Sequence, residues 1–219
     1  YKDFNDIVKN WINLQSLINL NNKINYLKTH NAMCTINNHK FTNIENTLGG
    51  IHIVRDPRDI LVSYSNYLNE NIDETLKTML SDQSYEAGEF KKNIYKKSIM
   101  GSWSSHYNSW KRYKSRDTII IKYEDMVCNT YDTFLRVLNY LSKLTNLEIN
   151  ETKMIDAIKQ TSFENLKSLE LTEGFKENPS TNPFFRNGKV GEWKKKLNKE
   201  QVQKIEKAFK IEMIELGYL

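Results

Sequence analysis

Residues 49–64 read GGIHIVRDPRDILVSY, and the fold turns on how this stretch is parsed. The β-branched run at 51–54 is predicted to be a short, buried parallel strand. Arg-Asp-Pro-Arg-Asp then interrupts the apolar pattern. Ile60, Leu61, Tyr64 and Leu68 resume it at helical spacing. Asp56 fits an N-cap and Pro57 the first helical position, so a helix starts here. A cap explains neither arginine. Arg55 stands at the carboxyl end of the strand, where the helix start adds partial positive charge. The residues leave two readings open, an anion site or a structural ion pair. Arg58 either pairs with a nearby acid or faces solvent.

Outward from this junction, Phe4, Ile7, Val8, Trp11 and Ile12 predict an amphipathic helix over 3–20. INYLKT at 24–29 reads as a short strand, and TIIIKY at 118–123 as another. Trp103, Tyr107 and Trp110 share one helical face, and an aromatic stripe of this kind is usually packing. Tyr131, Phe134, Leu135, Leu138 and Leu141 mark a strong helix, with further helices near 151–160 and 162–168. Residues 171–192 read as irregular and hold Pro179 and Pro183. A last helix starts near Asn198, with Gln201 completing a capping box, and buries Val202, Ile205, Phe209 and Met213. Strands alternating with helices imply an α/β class with a central, mainly parallel sheet flanked by helices. In that class ligands gather at the carboxyl ends of strands.

The 219 residues fit one domain, 1–219, with a real core. Hydrophobic residues make up 39% and charged residues 27%, which excludes a disordered chain. A net charge of +5 permits an anionic ligand without calling for nucleic acid. Two cysteines, Cys34 and Cys128, are too few for a disulfide framework and fit a reducing, cytoplasmic location. No apolar run approaches the ~20 residues of a membrane span, and no signal peptide is visible.

Three further stretches carry chemistry. YLKTH at 26–30 places Lys28 and His30 after a predicted strand. A histidine there can take a proton near neutral pH, and a lysine can stabilise charge on a transferred group. His30, Cys34 and His39 match no usual zinc spacing, so no metal is expected. GSWSSHYNSWKRY at 101–113 offers His106 as a pocket or surface residue. FFRNGKVGEWKKKL at 184–197 sets Gly188 and Gly191 among Arg186, Lys189 and Lys194. Glycines let backbone amides approach a phosphate and an arginine fork can grip one, but a mobile basic loop has the same composition.

Taken in order, LKTH, VRDPRDILVSY, GSWSSHYNSW, IIIKYEDM, TSFENLK and FFRNGKVGEW resemble the cytosolic-type sulfotransferases over about residues 24–197. The resemblance implies a P-loop-NTPase-like sulfotransferase fold. It implies transfer of a sulfuryl group from 3′-phosphoadenosine 5′-phosphosulfate (PAPS) to a hydroxyl or amine of a small acceptor, leaving adenosine 3′,5′-bisphosphate. In that frame His30 is the general base and Lys28 stabilises the transferring group. Arg55 and Ser63 bind the 3′-phosphate, with Arg186 and the Asn187–Gly188 backbone closing over it. Tyr123, Thr161 and Phe163 line the adenine pocket. Such a transfer is an in-line displacement that depends on positioning and charge stabilisation and needs no metal.

Two departures stand out. Asn187 replaces a lysine common in the family's last loop, and nothing in residues 1–27 resembles its Pro-Lys-Ser-Gly-Thr-Thr-Trp-like 5′-phosphosulfate loop. The expectation is that this loop and its strand lie upstream of Tyr1. The alternatives are an inactive nucleotide- or anion-binding module and a nucleotide-kinase-like phosphotransferase. The polar stretches 31–48 and 69–100 are the candidates for acceptor recognition, and residues 69–90 read as a lid or, preferably, a surface helix pair. Acceptor identity and oligomeric state are not legible.

Overall fold

The computed structural model describes residues 4–20, 23–90, 94–113, 117–175 and 182–219. The chain runs through α1 (Phe4–Asn19), β1 (Thr35–Ile36), β2 (His39–Lys40), β3 (Gly50–Val54), α2 (Pro57–Leu68) and α3 (Ile72–Leu80). It continues with β4 (Tyr85–Phe90), β5 (Ile94–Ile99), α4 (Trp103–Lys111), β6 (Thr118–Lys122), α5 (Tyr123–Cys128) and α6 (Thr130–Thr145). It closes with α7 (Glu151–Gln160), α8 (Phe163–Glu173), α9 (Trp193–Lys196), α10 (Lys199–Ala208) and α11 (Lys210–Glu215). Its contacts cluster into two units, Tyr1–His52 with Thr78–Ile120, and Ile53–Lys77 with Ile121–Leu219. Asp3 of the expected first helix and residues 176–181 of the expected irregular segment, Pro179 included, lie outside the described residues. No helix among the described residues is long and apolar enough to cross a membrane.

The junction quoted above folds as a strand, a cap and a helix. β3 pairs with β6. The Gly50 amide donates to the Asp117 carbonyl at 3.2 Å, so the two strands start at the same end and run parallel. Gly50 is glycine for a steric reason, since a Cβ there would stand 3.1 Å from the Trp110 ring. β3 is buried on alternate residues only. His52 and Val54 are buried, while Ile51 and Ile53 are 40% and 55% exposed. The expectation of a fully buried strand is thus corrected. β-branching selects extended backbone whether one face is covered or two. The Asp56 side chain then accepts the Arg58 amide, Pro57 opens α2, and Asn69 closes it in the left-handed region at φ 54°.

The first unit is built on α1 and α4. Val8 and Trp11 are the buried residues of α1, and the Trp11 ring meets Phe41 edge-on at 5.3 Å. Two antiparallel hairpins depart from the expected parallel pattern. β1 and β2 are joined by Asn37 and Asn38, both at positive φ, the two-residue turn whose twist matches that of paired strands. β4 pairs with β5 from Tyr85 opposite Ile99 to Phe90 opposite Ile94. The expected helix pair over 69–90 is therefore one helix, α3, followed by a strand. The strand expected at 24–29 is absent. These residues are exposed, and none of them joins a ladder among the described residues. An apolar cluster such as Ile24, Tyr26 and Leu27 makes a strand only when a neighbour takes up its backbone groups.

The second unit packs Leu61 and Val62 of α2, Ile121 of β6, and Ile205, Phe209 and Met213 near the carboxyl end, each at most 2% exposed. The capping box on Asn198 and Gln201 forms. The last helix breaks at Phe209, at φ −114°, into α10 and α11, and Val202 is only half-buried.

Candidate active site

In the first unit the backbone after Lys28 is pinned by α4. Lys28 and His30 are both exposed. The Trp110 indole donates to the Asn31 carbonyl at 3.0 Å, and the Met33 amide donates to the Ser109 hydroxyl at 2.9 Å. The Asn31 side chain accepts the Ile99 amide at 2.9 Å, and the Ala32 amide donates to the Ile99 carbonyl at 2.7 Å. His106 Nε2 lies 3.3 Å from the His30 carbonyl. A carbonyl can only accept, so His106 carries its proton on Nε2 in this bond. Its ring sits 5.3 Å from that of His52, whose Nδ1 is buried without a partner. Burial, with His106 alongside, pushes His52 down to about 4. Burial also lowers His106, against the pull of its bond to the His30 carbonyl. Aromatic packing holds this stack of neutral imidazoles, with Tyr107 and Trp110 completing it. No three His, Cys, Asp or Glu side chains among the described residues could hold a metal ion.

In the second unit the two arginines of the opening stretch have different surroundings. Arg58 is buried at 7% exposure. It forks onto Asp56, reaches Glu206 at 2.6 Å and the Tyr218 carbonyl at 2.9 Å, and stacks 4.1 Å from the Trp193 ring. Burial pulls its guanidinium down, but the bonds and charges of Asp56 and Glu206 outweigh this and hold it above its ordinary value. Arg58 is therefore a structural ion pair. Arg55 lies 4.3 Å over the Tyr123 ring and donates from Nη2 to the Lys189 carbonyl at 2.9 Å. Its Nε is buried with no hydrogen-bond partner.

The glycine loop comes to the same place. A Cβ on Gly188, at φ 64°, would stand 2.5 Å from the Phe163 ring, so only glycine lets the loop press on that ring. Phe163 opens α8 and meets Phe185 edge-on at 6.3 Å. Arg55, Tyr123, Lys189, Gly188 and Phe163 thus form one continuous set of contacts. Ser63 is exposed on α2, and Thr161 is exposed at the end of α7 with its hydroxyl on the Ala157 carbonyl. The Arg186 fork is taken by both oxygens of Glu192. That bond, with help from Asn187, holds the Glu192 carboxyl down at about 2 against its burial.

Three carboxylates that shape this cluster escaped sequence reasoning. Asp59 accepts the amides of Gly191 at 2.6 Å and Trp193 at 2.9 Å. Glu170 accepts the amides of Phe184 and Phe185 at 2.7 and 2.8 Å. Glu124 accepts the Asp56 amide at 3.0 Å and the Tyr218 hydroxyl at 2.8 Å. Their partners are mostly backbone amides, which leave no mark in a sequence. Only Glu192, six residues after Arg186 in a glycine loop, carried a readable signal.

A parallel strand here runs into a capped helix, with an arginine, an aromatic ring and a glycine loop gathered at the junction. The Sulfotransferase domain family matches residues 13–217, and the chain belongs to that family. Sulfotransferase 2A1 of Mus musculus is 30% identical over 169 residues, covering 74% of this chain and 55% of that protein. Amine sulfotransferase of Oryctolagus cuniculus is 24% identical over 172 residues, covering 74% of this chain and 54% of that protein. The chain thus spans about half the length of the relatives it matches. Among solved structures, mouse sulfotransferase SULT7A1 complexed with PAP superposes with a TM-score of 0.54 at 23% identity, over 74% of this chain and 57% of that one. The α/β sulfotransferase fold is therefore established.

Proposed function

We propose that this chain serves a sulfotransferase that moves a sulfuryl group from PAPS to a hydroxyl or amine of a small-molecule acceptor in the cytoplasm. The observation that carries the reading is the contact set of Arg55, Tyr123, Lys189, Gly188 and Phe163. It combines a cation with an unpartnered buried N–H, and an aromatic beside a bare glycine backbone. These suit an anionic phosphate and a flat base respectively. The donor, when bound, supplies the sulfuryl group. Arg55 and Ser63 hold its 3′-phosphate, Arg186 and the Asn187–Gly188 backbone close the loop side, and Tyr123, Thr161 and Phe163 border the adenine. His30 accepts the acceptor's proton and Lys28 steadies the charge that develops on the transferred group. The PAP complexed with mouse SULT7A1 supports the donor assignment. No residue of the reading requires a metal.

The test is turnover of labelled PAPS with a panel of hydroxyl and amine acceptors, in the protein and in His30→Ala. Transfer that falls by at least about a hundredfold in the variant, with binding of adenosine 3′,5′-bisphosphate retained, is the expected result. Transfer at the unaltered rate removes His30 from the role of base. Binding without transfer to any acceptor favours the inactive module.

A further inference from the structure

The Asp59 carboxylate is 1% exposed, and neither the cap of α2 nor the proposed chemistry uses it. A carboxylate buried this far is costly unless its oxygens are satisfied. They are satisfied almost wholly by one loop. Oδ2 takes the Gly191 amide at 2.6 Å and Oδ1 takes the Trp193 amide at 2.9 Å. Among the described residues the closest cation is a third contact, Arg55 Nη2, at 3.9 Å from Oδ2. That same Nη2 donates to the carbonyl of Lys189, two residues before Gly191. One side chain on the first turn of α2 therefore ties down the carboxyl half of the glycine loop. It also shares the guanidinium nitrogen that donates to the loop carbonyl.

We infer that Asp59 is a positioning residue for recognition of the 3′-phosphate. It clamps the loop against α2 and fixes the direction of the Arg55 guanidinium over Tyr123, and it does not touch the nucleotide itself. The inference rests on the PAPS reading and adds to it a residue that reads the 3′ position at one remove. A purely structural clamp weakens all nucleotides alike. A positioning clamp weakens those that carry a 3′-phosphate.

Asp59→Asn tests this, because the amide keeps one acceptor oxygen but turns an NH₂ toward the second loop amide. Calorimetry reads the affinity of the protein and the variant for adenosine 3′,5′-bisphosphate and for adenosine 5′-monophosphate. The expected result is a preference for the bisphosphate in the protein that shrinks about tenfold or more in the variant. The 5′-monophosphate affinity stays within about twofold, and the thermal transition stays cooperative. These fold-changes are those of losing about one charge-assisted contact. A preference that survives intact, or a parallel loss for both nucleotides, overturns the inference. If Asn at this position prevents folding, Asp59→Glu keeps the charge but displaces it by a methylene. It is read by the same ratio, and an unchanged ratio again overturns the inference. A protein that shows no preference before substitution overturns the PAPS reading instead.

Discussion

Arg55 and Arg58 stand three residues apart, on either side of the start of α2, and differ in everything but side chain. Arg58 is committed to Asp56, Glu206, the Tyr218 carbonyl and the Trp193 face. Arg55 keeps an N–H without a partner. The sequence displays the cap, because Asp56 and Pro57 are local. It does not display which arginine is structural, because two of the groups that hold Arg58 lie 148 and 160 residues away. Arg58→Met strands Asp56 as a buried charge, so the unfolding free energy should drop by about 3–5 kcal/mol. Urea denaturation measures this. A loss under about 1 kcal/mol would mean that the arginine stacks on Trp193 and does little else.

At the scale of elements, legibility followed periodicity and capping. α1, α2, α4, α6 and the capping box of α10 carry long apolar stripes or cap residues, and each forms where those signals lie. The two-residue strands β1 and β2 carry no periodicity, although the consecutive asparagines 37 and 38 were a readable turn signal. The missing strand at 24–29 shows the opposite failure, an apolar run without a partner. Packing between β3 and α4 was equally hidden, since it runs through His52 on His106. It has a measurable consequence. His52 is lowered from 6.5 to about 4 in the fold and regains its ordinary value when unfolded. The unfolded chain therefore binds more protons between these values. Stability is complete above the upper value, falls as pH drops through the window, and levels below the lower one, by roughly 3 kcal/mol in all. His106 shifts in the same direction and adds to the slope. In His52→Phe the fall in urea midpoint between about pH 7.5 and 4.5 should shrink by more than half. An equally steep fall in the variant would place the acid sensitivity elsewhere.

For the molecule as a whole, the family and the order of its motifs were legible, and the sulfotransferase domain match over residues 13–217 agrees with them. The positions of the candidate residues were legible only as an order along the chain. Lys28 and His30 belong to the first unit, and the residues proposed to meet the nucleotide belong to the second. The carboxylates that arrange the second set became visible only through backbone contacts, as with Asp59 and the loop amides. The opening stretch is proposed to select a nucleotide by its 3′-phosphate. The direct measurement is a calorimetric titration of the protein and of Arg55→Ala with adenosine 3′,5′-bisphosphate. Binding should weaken in the variant by about tenfold to a hundredfold, the share of a charge-assisted fork. Equal affinity in the two proteins, or no binding by the protein itself, would contradict it.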